Sequence, residues 1–479
     1  MLLHDATSCY QALLTHDARF DGVFFVGVRT TGIYCRPICP AKTPKEENCV
    51  YYAHAAAAEQ AGYRPCLRCR PELAPGNASV DAIGELAQRA ASRIEDGVLS
   101  EISVTALAAE LGVSERHLRR AVESAFGVSP HALAQTQRLL LAKRLLTDTA
   151  LPVTQIAFAS GFQSVRRFNS VFQERYRLTP TALRKNVPAL PAQTEQTLDI
   201  ALTYRPPFDW SGLLGFLKSR TLAGVEDIDG DTYRRTVRWQ EHTGWLSACA
   251  KDNERVLRIS LSLSLAQALP PILARIKSLF DLGASPHRIN DVLGALAADC
   301  PGLRVPGAFH GFETAVRAIL GQQVSVKAAT TLASRFAAAL GELVATPFAN
   351  LTHLSPTPER VARTPKQELI ALGILETRAL AILALAQAAV EGKISLEPGE
   401  DRAATLKALV ALPGIGEWTA QYIAMRALAW PDAFPHTDLG VKKALGETQP
   451  TKILEIADAW RPWRAYATMH LWRSLEAKQ

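Results

Sequence analysis

Two cysteine pairs near the N-terminus constrain this chain most: Cys35-x3-Cys39 and Cys66-x2-Cys69, with 26 residues between the pairs. Short-spaced pairs on separate loops can close a tetrahedron of thiolates around one Zn²⁺. Thr30-Thr31-Gly32 and Arg36-Pro37 flank the first pair, and Arg64-Pro65 and Arg70-Pro71 the second. Glycine and proline there favour tight turns that aim sulfur inward. The start, Met1-Leu2-Leu3-His4-Asp5, lacks the basic and apolar regions of a signal peptide. The eight cysteines are therefore expected in a reducing cytoplasm, where such spacing favours metal or redox chemistry over disulfides. Cys9, Cys49, Cys249 and Cys300 have no such spacing and read as buried bystanders.

The chain has 479 residues, enough for about three or four domains. No stretch of about 20 apolar residues suggests a membrane span. A net charge of +7 permits a polyanionic partner without requiring one. Turn-rich breaks near 71–77 and 184–196 divide the chain. The expected division is 1–76 for the cysteine domain, 78–185 for a helical domain, 186–196 for a linker, 197–270 for a β-rich domain and 271–479 for a helical domain. Thr236-Val237-Arg238-Trp239 and Val256-Leu257-Arg258-Ile259 read as strands.

The segment 78–185 carries one pattern twice. Val104 to Leu111 has helical apolar spacing, Gly112-Val113 makes a turn, and Ser114 is a suitable N-cap for a second helix. Leu118, Ala121, Val122 and Ala125 form its packed face, leaving Arg116, Arg119 and Arg120 free. Val153 to Ser160, Gly161-Phe162 and Ser164 to Tyr176 repeat this, with Val165, Phe168 and Phe172 packed and Arg166 and Arg167 free. This is helix-turn-helix logic, in which the free face enters a DNA groove. A helix over about 129–147 joins the units. A plain bundle with a solvated charged face is the alternative. With Gly161-Phe162 and Phe172-x3-Tyr176-x3-Pro180, the segment resembles the AraC-family DNA-binding domain, which implies two helices in successive major grooves.

In that company the cysteine domain reads as more than a staple. Thr30-Thr31-Gly32-Ile33-Tyr34-Cys35-Arg36-Pro37-x-Cys39 and Gly62-Tyr63-Arg64-Pro65-Cys66-x2-Cys69 resemble the N-terminal domain of the Ada family. The resemblance implies that one Zn²⁺ is held by Cys35, Cys39, Cys66 and Cys69. It also implies that Cys35 accepts a methyl group from a DNA methylphosphotriester, which turns the adjoining domain into a transcription activator. The Pro-Cys-His-Arg site of a full Ada protein does not occur in this sequence.

The C-terminal half carries Leu412-Pro413-Gly414-Ile415-Gly416 between apolar helical stretches. Such a turn lets backbone N–H groups approach a phosphate at the start of the next helix, the logic of a helix-hairpin-helix. A simple αα-turn is the alternative. Asp438 lies 22 residues beyond Gly416 and opens a helix, where an N-cap is the ordinary reading. Ala318-Ile319-Leu320-Gly321-Gln322-Gln323-Val324-Ser325, Gly416-x-Trp418-Thr419-Ala420-x-Tyr422, Trp463-Arg464-x-Tyr466 and His470-Leu471-Trp472 complete a resemblance to the HhH-GPD DNA glycosylase superfamily, of AlkA type. This implies Asp438 as the catalytic carboxylate, with Asp432 as the fallback. Tyr422, Trp472 and Trp418 would form the base pocket, Gly414 and Gly416 the DNA-gripping hairpin, and Gln323 the wedge, where AlkA-type enzymes carry Leu. His436-Thr437 departs from the AlkA-type loop. Trp418 stands where bifunctional relatives place a Schiff-base lysine, which implies a monofunctional enzyme.

The expected architecture is multidomain and mainly α. It comprises a small α+β zinc domain, an AraC-type double helix-turn-helix, a small β-rich domain and an all-α helix-hairpin-helix glycosylase domain. The expected function combines methyl acceptance and transcription activation with excision of 3-methyladenine-type purines. A transcription regulator with a passive second half is the alternative, and a plain zinc-stabilised binding protein a third. Double-stranded DNA is the expected partner, with RNA polymerase on activation and no membrane. The expected location is the bacterial cytoplasm, at the nucleoid.

Overall fold

The computed structural model describes residues 6–75, 85–185, 197–251, 255–398 and 401–476. The expected linker 186–196 and the Gly76-Asn77 end of the first break lie outside them. The chain is mainly helical with two sets of short strands, and none of its described helices is long and apolar enough to cross a membrane. It divides into two compact units, Met1–Pro206 with Lys251–Ala274, and Pro207–Ala250 with Arg275–Gln479.

The first unit opens with a sheet of β1 (Phe25–Val28), β2 (Ile33–Cys35), β3 (Cys49–Tyr52) and β4 (Arg64–Pro65), in the order β3-β1-β2-β4. β1 is antiparallel to β2 and β3, whereas β2 and β4 run parallel. Gly32, at φ +63°, makes the turn between β1 and β2 that a side chain would strain. The helix Ala55–Gln60 backs this sheet.

The double motif follows as expected. Helices Val104–Glu110 and Glu115–Phe126 form the first pair, Val153–Ala159 and Val165–Tyr176 the second, and Pro130–Asp148 joins them. Ser114, Ser129 and Ser164 cap their helices by accepting from the N–H groups of His117, Ala132 and Arg167, each satisfying a donor left free by the first turn. Leu118, Val122 and Phe126 are buried on one face, and Phe168, Val171 and Phe172 on the other. The unit closes with β5 (Thr197–Thr203) antiparallel to a strand at Val256–Ser262, from Thr197↔Ser262 to Thr203↔Val256.

The second unit holds the antiparallel meander β6 (Glu226–Asp229), β7 (Thr232–Trp239) and β8 (His242–Lys251); the strand Val256–Ser262 is β9. Its helical core gathers Phe312, Val316, Ile319, Phe336, Ile382, Leu385, Leu409 and Ile423. Helices Arg402–Val410 and Glu417–Arg426 flank the expected hairpin. Ile415 is buried in that core while Gly414 and Gly416 face outward. Gly414 has φ +75°, and a Cβ there would stand 3.0 Å from the Ala381 Cβ, so backbone conformation and close packing both call for glycine. Of the four bystander cysteines, Cys9, Cys49 and Cys300 are buried as expected. Cys249 is a correction. It sits opposite Thr232 in the β7–β8 ladder and is half-exposed.

Candidate metal centre and aromatic cluster

Parallel pairing builds the cysteine site. The register Ile33↔Arg64 and Tyr34↔Pro65 places Cys35 and Cys66 side by side at the next position, and the Cys66 N–H donates to the Tyr34 carbonyl at 3.0 Å. A turn closed by Cys39 N–H to the Arg36 carbonyl brings in Cys39. The four Sγ atoms lie within 4.8 Å of one another. Four thiolates at the usual Zn–S distance of about 2.3 Å are separated by less than that, so the donor set and spacing fit one Zn²⁺.

The sulfurs are not equivalent. Cys39, Cys66 and Cys69 are buried, whereas Cys35 is partly open to solvent. Backbone N–H groups reach Cys69 from Arg36 at 3.3 Å, Cys66 from Arg68 at 3.4 Å, and Cys39 from Ala41. Among the described hydrogen bonds none is donated to Cys35. An N–H bond draws charge from a thiolate, so the sulfur without one is the better nucleophile.

The neighbouring arginines differ in use. Arg36 is buried: its Nε donates to Asp21 Oδ1 at 2.7 Å, its Nη2 to Asp21 Oδ2, and its Nη1 to the Cys69 carbonyl at 3.0 Å. Arg70 joins Glu72 and Asp148. Arg68, beside an exposed Leu67, faces solvent.

The cysteine domain packs on the helix Pro130–Asp148 through buried polar contacts that carry no motif. Glu59 accepts from Tyr34 Oη at 3.0 Å and Thr136 Oγ1 at 3.1 Å, and stands 4.0 Å from Arg175 of the second motif. Burial pushes its carboxyl up to about 7, against the pull of Arg175 and the two hydroxyls. Lys143 meets Glu72 at 2.5 Å, both almost fully buried. Arg116, Arg119, Arg120, Arg166 and Arg167 are all exposed on the free helix faces, with Arg119 paired to Glu115.

In the second unit Asp438 caps the helix Leu439–Leu445, its Oδ1 accepting from Val441 N–H at 3.0 Å. It does more than cap. Oδ2 accepts from Trp418 Nε1 at 2.8 Å, and Oδ1 from Trp472 Nε1 at 2.9 Å. Trp418 stacks on Tyr422 with centroids 5.5 Å apart, and Tyr422 lies 6.3 Å from Trp472. All three rings are half-buried. Gly440 is required here, because a Cβ would stand 2.9 Å from Trp472 Cδ1. Asp432 is committed elsewhere, held by Arg464 at 2.7 Å and Arg461 at 2.5 Å.

Sequence reasoning missed four residues around these rings. Phe216, from the helix Trp210–Lys218, stacks on Trp472, and the Arg220 guanidinium lies 3.8 Å over its ring. Arg426 Nη1 donates to Tyr422 Oη at 2.8 Å, and Arg317 holds the Arg220 carbonyl. Burial alone would raise the Tyr422 phenol, but Arg426, Arg220 and Arg317 outweigh it and bring it below its ordinary value.

Gln323 is exposed, at φ +54°, between helices Gly311–Leu320 and Val326–Leu340. Its neighbour Gln322 donates to the Gly414 carbonyl at 2.9 Å and to Thr419 Oγ1 at 3.0 Å, which ties this loop to the hairpin.

Four family models match the chain. They are the metal binding domain of Ada over residues 8–72, a helix-turn-helix domain over 107–186, the AlkA N-terminal domain over 199–310, and the HhH-GPD superfamily base excision DNA repair protein over 316–458. A probable bifunctional transcriptional activator/DNA repair enzyme AlkA of Mycobacterium tuberculosis is 40% identical over 98% of this chain and 97% of its own length. The DNA-3-methyladenine glycosylase 2 of Escherichia coli is 40% identical over 57% of this chain and 95% of its own. The bifunctional transcriptional activator/DNA repair enzyme Ada of Escherichia coli is 34% identical over 36% of this chain and 48% of its own.

Proposed function

The chain belongs to the family of bifunctional transcriptional activator/DNA repair enzymes of AlkA type, and from that premise we propose that it excises alkylated purines from DNA and senses alkylation at Cys35. The observation that carries the reading is the double indole clamp on Asp438 within a cluster of aromatic rings, two of them on the helix that follows the hairpin.

Excision needs the damaged nucleotide extruded from the duplex. Gly414 and Gly416 offer backbone N–H groups to phosphate, and Gln323 fills the gap left in the stack. A purine methylated at N3 or N7 carries positive charge, which weakens its bond to the sugar. The faces of Trp418, Tyr422 and Trp472 suit such a cation. As the C–N bond breaks, its electron pair leaves with the base, and the Asp438 carboxylate faces the positive charge developing on the sugar. Water then adds to the sugar and gives up a proton. Trp418, at the position of a Schiff-base lysine, leaves no amine for a lyase step.

At the metal centre, zinc when bound keeps the thiols ionised at neutral pH. The Cys35 sulfur attacks the methyl carbon of a methylphosphotriester. The S–C bond forms, the C–O bond breaks, and the phosphate leaves as an ordinary diester anion. No proton is needed. The thioether is a poor leaving group, so each chain accepts one methyl. Four thiolates around a divalent ion carry formal charge −2, and methylation leaves −1, which weakens repulsion from the DNA backbone. The exposed arginine faces at Arg116, Arg119, Arg120, Arg166 and Arg167 then hold promoter DNA, and RNA polymerase is the partner on activation. A regulator with a passive second half would leave the clamp on Asp438 without a use.

Release of free 3-methyladenine from methylated duplex DNA tests the enzyme, and transfer of labelled methyl from a methylphosphotriester oligonucleotide tests the sensor. A chain that does neither contradicts the reading.

A further inference from the structure

Arg205 lies just beyond β5, within the segment that matches the AlkA N-terminal domain, yet its side chain is buried against the cysteine domain. It is 1% exposed. Its Nε donates to the Asp21 carbonyl at 3.0 Å and its Nη2 to the Pro75 carbonyl at 3.4 Å. Two residues earlier, Thr203 Oγ1 donates to the Leu73 carbonyl. Both acceptors in 73–75 belong to the segment that leaves the site just after Cys69. That segment closes directly over the Asp21–Gly22 loop, because a Cβ on Gly22 would collide with the Pro75 carbonyl.

Asp21 is what links Arg205 to the thiols. Its carbonyl accepts from Arg205, and its carboxylate accepts from Arg36. Arg36 follows Cys35 in sequence and makes two contacts to Cys69, its N–H to Sγ at 3.3 Å and its Nη1 to the carbonyl at 3.0 Å. A buried guanidinium is a costly way to fill space, since an apolar side chain of similar length would do so without losing hydration. What the planar fork adds is direction: it fixes two carbonyls relative to each other. Here those carbonyls belong to the loop that anchors Arg36 and to the segment that follows Cys69.

We propose that Arg205 is a positioning residue for the four-cysteine centre, supplied by the segment that opens the glycosylase-like half. The centre is then braced by a residue that lies outside the matched metal binding domain, residues 8–72. That role rests on the reading of Cys35 as the acceptor.

The test uses the full chain with Arg205→Met, which keeps bulk and removes the donors, and Arg205→Lys, which restores one. Three quantities are measured: single-turnover methyl transfer from a methylphosphotriester oligonucleotide across its concentration, zinc release to a colorimetric chelator, and release of 3-methyladenine from methylated duplex. In Arg205→Met the limiting transfer rate falls about tenfold, the scale set by loss of a hydrogen bond from a charged group. The half-saturating oligonucleotide concentration is unchanged and zinc leaves faster. Arg205→Lys recovers part of both losses, and all three proteins release base at the same rate. Wild-type transfer and zinc retention in Arg205→Met overturn the proposal. So does an equal loss of base release, which makes Arg205 a residue of the fold at large. If the wild-type chain accepts no methyl, it is the Cys35 reading that fails, and zinc release alone then decides the role of Arg205.

Discussion

The indole N–H of Trp418 meets one carboxylate oxygen of Asp438 at 2.8 Å. Trp472 meets the other at 2.9 Å, and the Val441 N–H shares it. Three donors thus fix the carboxylate in place before any DNA arrives, so in the catalytic role proposed for Asp438 little of its orientation has to be gained during the reaction.

Asp438→Asn removes the charge and keeps the cap. Asparagine is as good an N-cap as aspartate when its Oδ1 faces Val441 and Trp472, so the helix Leu439–Leu445 should hold, while its NH2 turns toward the Trp418 indole and the thermal midpoint should fall only slightly. Release of 3-methyladenine should fall by at least about a hundredfold, on the scale of removing one electrostatic stabiliser. Asp432→Asn should instead lower stability, since it breaks the pairs with Arg461 and Arg464. Thermal melts and base-release assays on both variants check this.

Trp472→Phe keeps an aromatic face against Phe216 but removes the N–H donor together with one ring of the indole. With Oδ1 of Asp438 less constrained, kcat for base release should drop about tenfold while KM moves little. A variant that raised KM alone would assign Trp472 to base stacking and not to the clamp.

Much of this arrangement is legible in the sequence, because it follows local rules. The cysteine spacing, the serine caps of the double motif, Gly414 and the aspartate at the start of a helix all act over a few residues. The linking residues are different. Glu59 reaches Thr136, Asp21 reaches Arg36 and Arg205, and Phe216 reaches Trp472 across long stretches of chain. Nothing in their local spacing marks them, since a buried acid and an exposed one look alike in one sequence. Arg36 is another case: the sequence shows only that it follows Cys35, whereas the structure commits it to Asp21 and the Cys69 carbonyl.

Glu59 gives a pH signature. Burial raises its carboxyl to about 7, from an ordinary value of 4.5. A raised acid favours the protonated folded form, so its contribution is full below about pH 4.5 and is lost as pH rises through 7. Between about pH 5 and 7 the thermal midpoint of the first unit should fall, and above that it should level off. Glu59→Gln keeps an acceptor for Tyr34 and Thr136 without the titration, and its midpoint should fall less over the same interval. Parallel slopes in the two proteins would remove Glu59 as the source.

Gln323 supplies another check. Its exposed tip is tied to the hairpin by Gln322, so it should enter the duplex as the hairpin grips the backbone. Gln323→Ala should slow excision from a fully paired duplex. A mismatch opposite the lesion lowers the cost of extrusion, so the defect should shrink there. An equal defect on both substrates would place Gln323 outside the extrusion step.

The most direct measurement follows one label to two destinations. The full chain is incubated with excess duplex DNA methylated with a labelled methyl donor, and the label is partitioned between protein and free base. Protein-bound label should stop at one methyl per chain and map to the peptide containing Cys35, while labelled 3-methyladenine accumulates past one per chain. Bound label on another residue, or no free base above the rate of the Asp438→Asn protein, would contradict sensing at Cys35 joined to excision at Asp438.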